Sequence, residues 1–352
     1  MDKEKIMEIL ATVTHPAQGD RSIVDLGMVE SVGEEDGAVF VELAFPARRD
    51  PLTEYLVGAT RAALTRAGYA GAKVATRVKD APKKGRQGVN ELGTDQIERV
   101  RHIIAVASGK GGVGKSTVAV NLACALARQG YKVGLADADV YGPSVPTMTA
   151  TEGVAPEAVM EDGRELILPV EKFGVKWMSV GYFASRGQAL IWRGPMACSA
   201  LKQMILQVRW GELDYLLIDM PPGTGDIHIS LVQDIPVEGA VIVTTPQAVA
   251  LADVEKGVNL FRNENVRKPI LGIVENMSWF TPREHPAEKY YLFGNGGGAE
   301  MAASLGLPLL AQIPLVQGIR ESGDSGTPSA LGEGPDAEAF RSLAERIAEF
   351  AA

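Results

Sequence analysis

Short apolar runs recur along the chain from about residue 100 and alternate with stretches of helical periodicity. The runs are rich in Val, Ile and Leu, as strands covered on both faces should be. They predict six strands, at residues 103–107, 132–136, 214–219, 239–245, 270–276 and 309–313. Helical stretches accompany them, notably Ala197 to Val208 and Asp336 to Phe350. This alternation predicts an α/β fold with a doubly wound, mostly parallel sheet and a ligand site at the carboxyl ends of the strands.

The first 80 residues have a shorter pattern of their own. Apolar residues with helical spacing cover Lys3 to Val13 and Pro51 to Ala67. Val39 to Phe45 and Ala72 to Val78 are typical of strands, and an apolar segment at 22–32 is interrupted by Asp and Gly. These residues predict a small N-terminal α/β domain. We see no nucleophile–base pair or metal cluster in its sequence, which favours a docking or structural module.

A polar segment separates the two patterned regions. It contains Ala81-Pro82-Lys83-Lys84-Gly85-Arg86-Gln87-Gly88, which is charged, carries Gly and Pro, and has no periodicity. We therefore predict a small domain over residues 1–80, a linker over 81–99 and the larger α/β domain over 100–352. The basic cluster is either a contact patch or part of a solvated tether, and the composition favours the tether.

Composition narrows the classes of partner. The chain has 352 residues, of which 46% are hydrophobic and 22% charged, as in an ordinary globular protein. Its formal net charge of −9 argues against a general binder of nucleic acid or anionic membranes. No apolar stretch is long enough for a membrane span, and the N-terminus has no secretory signal. The two cysteines, Cys124 and Cys198, cannot make a disulfide framework, so we expect a cytoplasmic protein.

A glycine-rich loop follows the first strand of the larger domain. Its spacing, Gly109-x4-Gly114-Lys115-Ser116, is that of a phosphate-binding loop. Glycines allow successive backbone N–H groups to face inward and form an anion-binding concavity. A helix over Val113 to Gln129, ended by Gly130, would point its positive end at the same phosphates. The residues predicted to bind a nucleotide here are Gly109, Lys110, Gly111, Gly112, Val113, Gly114, Lys115, Ser116 and Thr117.

The loop chemistry implies ATP and magnesium as cofactors. Lys115 would place a positive charge at the β- and γ-phosphates, and the Ser116 hydroxyl would be a Mg²⁺ ligand. Further polar residues end three predicted strands: Asp137 and Asp139 follow the second, Asp219 ends the third and Asn276 ends the fifth. We predict that Asp137 and Asp219 help to hold Mg²⁺, that Asp139 orients or deprotonates the attacking water, and that Asn276 reads the adenine edge.

A proline-rich turn and a lysine add to this site. Pro221-Pro222-Gly223 follows Asp219 directly and suits a loop that senses the γ-phosphate. Lys110 stands immediately after the first glycine, where a phosphate-binding loop does not need a lysine. It can project from its own site and supply charge to a phosphate in a facing subunit, which predicts an ATP-dependent homodimer. The alternative is a lysine that is simply exposed to solvent.

These motifs together resemble a known family. Residues Gly109 to Thr117 resemble the deviant Walker A motif of the class that contains MinD, ParA and the nitrogenase iron protein. Other segments narrow the resemblance to the Mrp/ApbC family: Asp137-Ala138-Asp139-Val140-Tyr141-Gly142-Pro143-Ser144, Trp192-Arg193-Gly194-Pro195-Met196, Asp219-Met220-Pro221-Pro222-Gly223-Thr224-Gly225-Asp226, Glu275-Asn276-Met277-Ser278, Phe293-Gly294 with Gly296-Gly297-Gly298, and Ile319-Arg320-Glu321-Ser322-Gly323-Asp324. The N-terminal unit, through Ile23-Val24-Asp25-Leu26-Gly27-Met28-Val29, is similar to a small domain of iron–sulfur assembly factors.

The resemblance implies an ATPase that binds an iron–sulfur cluster at a dimer interface and carries it to apo client proteins. The family usually has a Cys-x-x-Cys pair after its Glu-Asn-Met segment. This chain instead reads Trp279-Phe280-Thr281-Pro282-Arg283-Glu284-His285, with no cysteine. Because clusters are held by thiolates, Cys198 becomes the candidate ligand. We predict that it begins the helix after Arg193-Gly194-Pro195-Met196, whereas Cys124 lies in a helix among alanines as a buried thiol.

Two other functions remain open on the same scaffold. One is an ATP-switched adaptor or metal-insertion chaperone that holds no cluster of its own. The other is a positioning ATPase of the MinD/ParA kind, for which a membrane-binding member would carry a basic amphipathic terminal helix. The C-terminal segment 338–350 mixes acidic residues with two arginines, which argues against that version.

Overall fold

The structure, a computed structural model, describes most of the chain. The described residues are 3–15, 21–35, 38–45, 53–69, 71–78, 95–161, 163–183, 194–264, 266–285 and 287–351. Residues 81–94 of the predicted linker, Pro51, and Trp192-Arg193 of the family motif lie outside these ranges. Contacts between Cα atoms divide the chain into two compact units, Met1–Glu91 and Leu92–Ala352.

The N-terminal unit is a three-stranded sheet with two helices. Its elements are α1 (Lys3–Leu10), β1 (Val29–Glu35), β2 (Ala38–Phe45), α2 (Thr53–Arg66) and β3 (Lys73–Val78). The strand order is β1-β2-β3, with β1 antiparallel and β3 parallel to β2. Ile6 of α1, Leu43 of β2 and Leu56 of α2 are fully buried in its core. The small α/β domain expected from the sequence is therefore present.

The larger unit is built on an eight-stranded sheet. Its strands are β4 (Val100–Ala107), β5 (Val133–Asp137), β8 (Val170–Lys172), β9 (Val175–Ser179), β10 (Leu213–Asp219), β11 (Gly239–Thr244), β12 (Ile270–Phe280) and β13 (Leu309–Leu315), while β6 (Ala158–Glu161) and β7 (Arg164–Ile167) form a separate hairpin. The order is β13-β12-β11-β4-β10-β5-β9-β8, and every pair is parallel except β8 with β9. The predicted doubly wound, mostly parallel sheet is confirmed.

Helices accompany this sheet along the chain. They are α3 (Asp95–Glu98), α4 (Lys115–Arg128), α5 (Val145–Met148), α6 (Gly194–Leu206), α7 (Asp226–Asp234), α8 (Ala248–Arg262), α9 (Gly297–Leu305), α10 (Gln317–Ser325) and α11 (Pro335–Ala351). Phe340, Leu343 and Ile347 of α11 are fully buried, as their shared face predicts. Within the described residues, no helix has both the length and the apolar composition that a membrane-crossing segment requires.

Two predicted helix starts were wrong. Helix α4 begins at Lys115 and not at Val113, because Gly114 has a φ of 80° and is the residue before the helix. Helix α6 begins at Gly194 and not at Ala197, since proline is tolerated in a first helical turn. Cys198 is consequently the fifth residue of α6 and does not begin it.

Candidate functional site

The loop between β4 and α4 has the backbone of an anion cradle. Gly112 and Gly114 have φ values of 81° and 80°, which side chains other than glycine rarely adopt. Gly109 needs glycine for a different reason. A Cβ atom at this position would lie 2.0 Å from the backbone oxygen of Asp253 in α8. The loop borders a cavity of about 210 Å³ that Lys110, Lys115, Ser116, Thr117 and Asp139 help to line.

Lys115 is the central cation of this site. Its side chain is 6% exposed, and its Nζ donates to Oδ1 of Asp219 at 2.5 Å and to the Ser116 hydroxyl at 3.2 Å. Asp219 ends β10 and pairs in register with Asp137 at the end of β5. The sheet therefore brings two strand-end carboxylates to one level beside the lysine, as the strand predictions imply.

Burial controls the ionisation of both carboxyl groups. Burial, and then the neighbouring Asp219, raise the pKa of Asp137 to about 7. Burial also raises the pKa of Asp219, and the charge of Lys115 acts in the opposite direction. Asp137 accepts from the backbone N–H groups of Asp139 (3.1 Å) and Val145 (3.3 Å) and from the Ser179 hydroxyl at 2.9 Å. Its two oxygens are thus held firmly in place.

One carboxylate oxygen is left for a cation. Oδ2 of Asp219 is buried and has no hydrogen-bond partner in the described part of the chain. A buried oxygen without a partner costs free energy unless a ligand satisfies it. Ser116, Asp137 and Asp219 supply hard oxygen atoms, which suit Mg²⁺ when phosphate oxygens and water complete its coordination. The residues present therefore fit the predicted magnesium ion.

Asp139 lies at the wall of the same cavity. Its Oδ1 accepts from the backbone N–H groups of Tyr141 and Gly142, both at 3.1 Å. The carboxylate is half-buried and keeps its second oxygen free of any hydrogen bond that the described residues supply. Its place beside the loop is compatible with a contact to water, and that role stays a prediction.

The proline turn after Asp219 packs on the glycine loop. Pro222 lines the cavity, and the Gly223 N–H donates to the Ser108 carbonyl at 3.2 Å. His228 of α7 fixes the turn from behind, because its Nε2–H donates to the Pro221 carbonyl at 2.7 Å. Burial lowers the pKa of this histidine. The sequence analysis missed His228, although a lone histidine among Ile227, Ile229 and Leu231 was a usable signal.

Asn276 touches the loop directly. Its Nδ2 donates to the Val113 carbonyl at 2.8 Å, and a Cβ at Gly114 would lie 2.2 Å from the same nitrogen. This contact holds the loop in place, and adenine recognition by Asn276 stays a prediction. The preceding residue, Glu275, is fully buried and was also missed. Its carboxylate accepts from the Gly298 N–H at 2.5 Å and from the Gln312 amide at 2.8 Å.

Lys110 lies at the exposed rim of the loop. Its carbonyl accepts from the Ser108 hydroxyl at 2.9 Å, while its ammonium group makes no ion pair with any residue that the structure describes. An exposed cation beside the cavity, whose charge also acts on Asp253 of α8, suits a contact with a second subunit. It equally fits the alternative of a solvated lysine.

The segment that carries cysteines in the family forms a closed hairpin here. Phe280 and Tyr290 exchange two backbone hydrogen bonds, at 2.8 and 2.9 Å, and Lys289 lies 3.8 Å above the ring of Trp279. Among the described residues no group of three or more His, Cys, Asp or Glu side chains could hold a metal ion. Cys198 is half-buried in α6, and burial raises the pKa of Cys124 to about 12.

The fold and the site together define the class of protein, which is a P-loop NTPase. Residues 99–348 match the family model described as NUBPL iron-transfer P-loop NTPase, and residues 3–76 match that of iron-sulfur cluster assembly protein. The chain belongs to this iron-transfer P-loop NTPase family. The resemblance inferred from the motifs is confirmed.

Individual relatives agree with this assignment. An iron-sulfur cluster carrier protein of Synechocystis sp. is 42% identical over 347 residues, which span 97% of this chain and 96% of that protein. The iron-sulfur cluster carrier protein of Escherichia coli is 49% identical over 255 residues, or 72% of this chain and 67% of the relative. A nucleotide-binding protein from Archaeoglobus fulgidus, solved with ADP, is similar over 71% of this chain and 96% of its own, with 37% identity and a TM-score of 0.60.

Proposed function

We propose that this protein is an ATP-binding and ATP-hydrolysing carrier of iron–sulfur clusters that works as a nucleotide-switched homodimer in the cytoplasm. The observation that carries the proposal is the pairing of Lys115 with Asp219 inside a complete phosphate-binding loop. The family match over both compact units, and relatives named as cluster carriers along nearly the whole chain, support the cargo.

The pairing of Lys115 with Asp219 suggests how ATP is received. Lys115 is held by Asp219, and an arriving β,γ-phosphate supplies a stronger anionic partner for the same ammonium group. The backbone N–H groups of the glycine loop bind the phosphate oxygens. Ser116, Asp137 and Asp219 would hold Mg²⁺, which when bound would neutralise charge at the phosphates. The buried Oδ2 of Asp219, which has no partner among the described residues, is available for that ion.

Hydrolysis would use the same residues with two additions. Asp139 is placed to orient the attacking water or accept its proton, since it lines the cavity with one oxygen free of backbone bonds. Lys110 of a partner subunit would reach the γ-phosphate across the interface and stabilise charge in the transition state. ATP binding would thereby favour the dimer, and hydrolysis would release it.

The cargo site differs from that of the family. Thiolates are the usual ligands of iron–sulfur clusters, and the hairpin at 279–290 supplies none. Cys198 is half-buried, and two subunits would contribute one such thiol each, which is fewer than the four thiolates of the common cluster site. A cluster bound in this way is labile, which suits transfer to an apo client.

Anaerobic reconstitution tests the cargo. The protein is incubated with iron and sulfide, and both are counted per dimer, in the wild type and in Cys198→Ser. We expect a cluster in the wild type and its loss in Cys198→Ser, while Cys124→Ser retains it because that thiol is buried and inert. A cluster that survives in Cys198→Ser would reject Cys198 as a ligand.

The second candidate is an ATP-switched adaptor that holds no cluster of its own. The sequence Trp279-Phe280-Thr281-Pro282-Arg283-Glu284-His285, which has no cysteine where the family carries its pair, favours it. Wild-type protein that binds ATP but takes up no iron or sulfide would select this function.

The third candidate is a positioning ATPase. The net negative charge of the chain argues against it, so binding to anionic vesicles or DNA would be needed to support it.

A further inference from the structure

The turn between β10 and α7 is tied down at two points. The Gly223 N–H donates to the Ser108 carbonyl at 3.2 Å, which joins the turn to the glycine loop. The His228 ring donates to the Pro221 carbonyl at 2.7 Å, which joins the turn to the helix behind it. Between these points stands Pro222, which lines the cavity and lies 3.7 Å from the place of a Cβ at Gly111.

His228 is buried against this turn and is only 4% exposed. Since a carbonyl only accepts, Nε2 must carry the hydrogen, and Nδ1 is then a bare acceptor with no hydrogen-bond partner in the described residues. Burial of such an atom is costly, and packing alone would be met better by an apolar side chain of similar size. The bond to the Pro221 carbonyl is the main contact that the imidazole provides, and the backbone of Gly225 in the same turn also interacts with the ring.

The bond from His228 to the Pro221 carbonyl affects the residues of the turn that face the phosphate-binding loop. Pro221 stands two residues after Asp219 and immediately before Pro222. The peptide between the two prolines is planar, and both rings fix φ. Holding the Pro221 carbonyl therefore orients both the wall of the cavity and the approach of Asp219 to Lys115. A loose carbonyl would let these two groups move relative to the phosphates.

We propose that His228 is a positioning residue for phosphoryl transfer, acting through the Pro221 carbonyl on the Asp219–Pro222 turn. The inference rests on the proposed ATP hydrolysis. It does not depend on iron–sulfur cargo, and it assigns His228 no direct contact with the nucleotide.

The test compares three substitutions in the full chain. His228→Gln keeps an N–H donor near the place of Nε2, while His228→Leu and His228→Asn lose the reach to Pro221. His102→Gln is the matched control, since that histidine pairs with Glu238 near the amino end of β4, at the opposite edge of the sheet. Steady-state ATP hydrolysis gives kcat and KM for each, and thermal melting confirms that each variant folds.

We expect kcat to fall roughly tenfold or more in the Leu and Asn variants, with KM within about twofold, because small displacements of positioned groups cost rate more than binding. The Gln variant should keep most of the activity. Equal losses in Gln, Asn and Leu would reduce His228 to a packing residue and overturn the proposal. Unchanged kcat in a folded Leu or Asn variant, or a change in KM alone, would do the same.

A second measurement tests whether His228 positions the turn without relying on ATP hydrolysis. Amide hydrogen exchange of a peptide covering 219–227, without nucleotide, reports the Gly223 N–H and its neighbours. Exchange should be faster in His228→Leu and His228→Asn than in the wild type and His228→Gln. If the wild type binds ATP but does not hydrolyse it, the proposed function fails, and the exchange pattern still decides whether His228 positions the turn. Equal exchange in all four proteins overturns the inference.

Discussion

Lys115 pairs with Asp219 in the structure, and under the proposed function it also binds the phosphates of ATP. We expect Lys115→Ala to abolish hydrolysis and to weaken ATP binding at least tenfold, since the central cation of the loop is lost. It should also lower the melting temperature, because the buried Asp219 carboxylate is left without its partner. Calorimetric titration with ATP and thermal melting measure the two effects.

Lys110→Ala is the control for stability at the same loop. Its ammonium group is exposed and unpaired within the described residues, so the melting temperature should stay within about one degree of the wild type. Normal ATP affinity in Lys115→Ala would contradict the assigned role of the lysine.

Asp137 predicts a dependence of stability on pH. Burial raises its pKa to about 7 in the folded protein, from an ordinary value of 3.8, so the folded state binds the proton more tightly than the unfolded state. The contribution of this group to folding is therefore present below pH 3.8 and is lost as pH rises to 7. Asp137→Asn has no such proton. Measured by urea unfolding in EDTA, its stability relative to the wild type should rise from pH 5 to pH 7 and then level off.

A pH-independent difference between Asp137→Asn and the wild type would show that the carboxyl group titrates normally.

Single residues were predictable where chemistry has a fixed spacing. The loop residues and the strand-end acids Asp137 and Asp219 come together as the sequence predicts, because parallel strands carry their ends to one edge. His228 and Glu275 were missed, since each acts on backbone groups that only the folded chain brings near. The start of α6, and with it the place of Cys198, was wrong because the pattern did not show that Gly194-Pro195 enter the helix.

At the level of elements, the glycine loop approaches α8 so closely that it restricts which residue can stand at position 109. In Gly109→Ala the new Cβ would meet the Asp253 backbone oxygen at 2.0 Å, so either the loop or the helix must move. We expect a loss of about 1–3 kcal/mol in the free energy of unfolding, as for other overpacked sites, together with weaker ATP binding. Urea denaturation and nucleotide titration measure both.

Gly111→Ala is the matched control two residues away. Its Cβ would lie 3.7 Å from Pro222, which is an ordinary contact, and its φ is not in the left-handed region. Its stability should stay within about 0.5 kcal/mol of the wild type. Equal effects of the two substitutions would mean that Gly109 is not constrained by α8.

The strands of the nucleotide domain were predictable and the segment 158–179 was not. Buried parallel strands are continuous apolar runs, and all six predicted ones are present. The predicted end of the fifth was wrong, because β12 continues to Phe280 and Asn276 lies within it. Strands β6, β7 and β8 have three or four residues each and include charged side chains, so no run stands out. Strand β9 is buried but short, and follows a turn in which Phe173 has a φ of 56°.

For the whole molecule, Lys110 predicts that hydrolysis depends on association. If the lysine acts on the phosphate of a partner subunit, the specific activity of the wild type should rise with protein concentration. Lys110→Ala should bind ATP with a Kd within about threefold of the wild type but hydrolyse it at least tenfold more slowly at every concentration. Light scattering with ATP and steady-state kinetics over a range of concentrations measure this.

A specific activity that does not vary with concentration, in a protein that stays monomeric with ATP, would reject catalysis across an interface. Lys132→Ala serves as the control, since this exposed lysine pairs with Glu212 beside the amino end of β5, away from the glycine loop. Its hydrolysis should retain the concentration dependence of the wild type.

The division of the chain into two units was visible in the sequence as a change of pattern around a polar segment. Each unit has its own buried cluster, one built from Ile6, Leu43 and Leu56 and the other from the large sheet. We propose the domain limits 1–80 and 100–352 on this basis. The partner proteins were not predictable from pattern, because surfaces that recognise clients follow no periodicity.

The backbone bridge between Phe280 and Tyr290 separates the exposed end of this segment from the strand that carries Asn276. Two backbone hydrogen bonds close the segment, while Arg283, Glu284 and His285 beyond them are exposed. Backbone N–H and C=O groups are present in every residue except proline, which lacks the N–H, so these two bonds do not require particular side chains. Substitutions at 283–285 are therefore insulated from the bond between Asn276 and the Val113 carbonyl, and this surface can vary while the glycine loop is preserved.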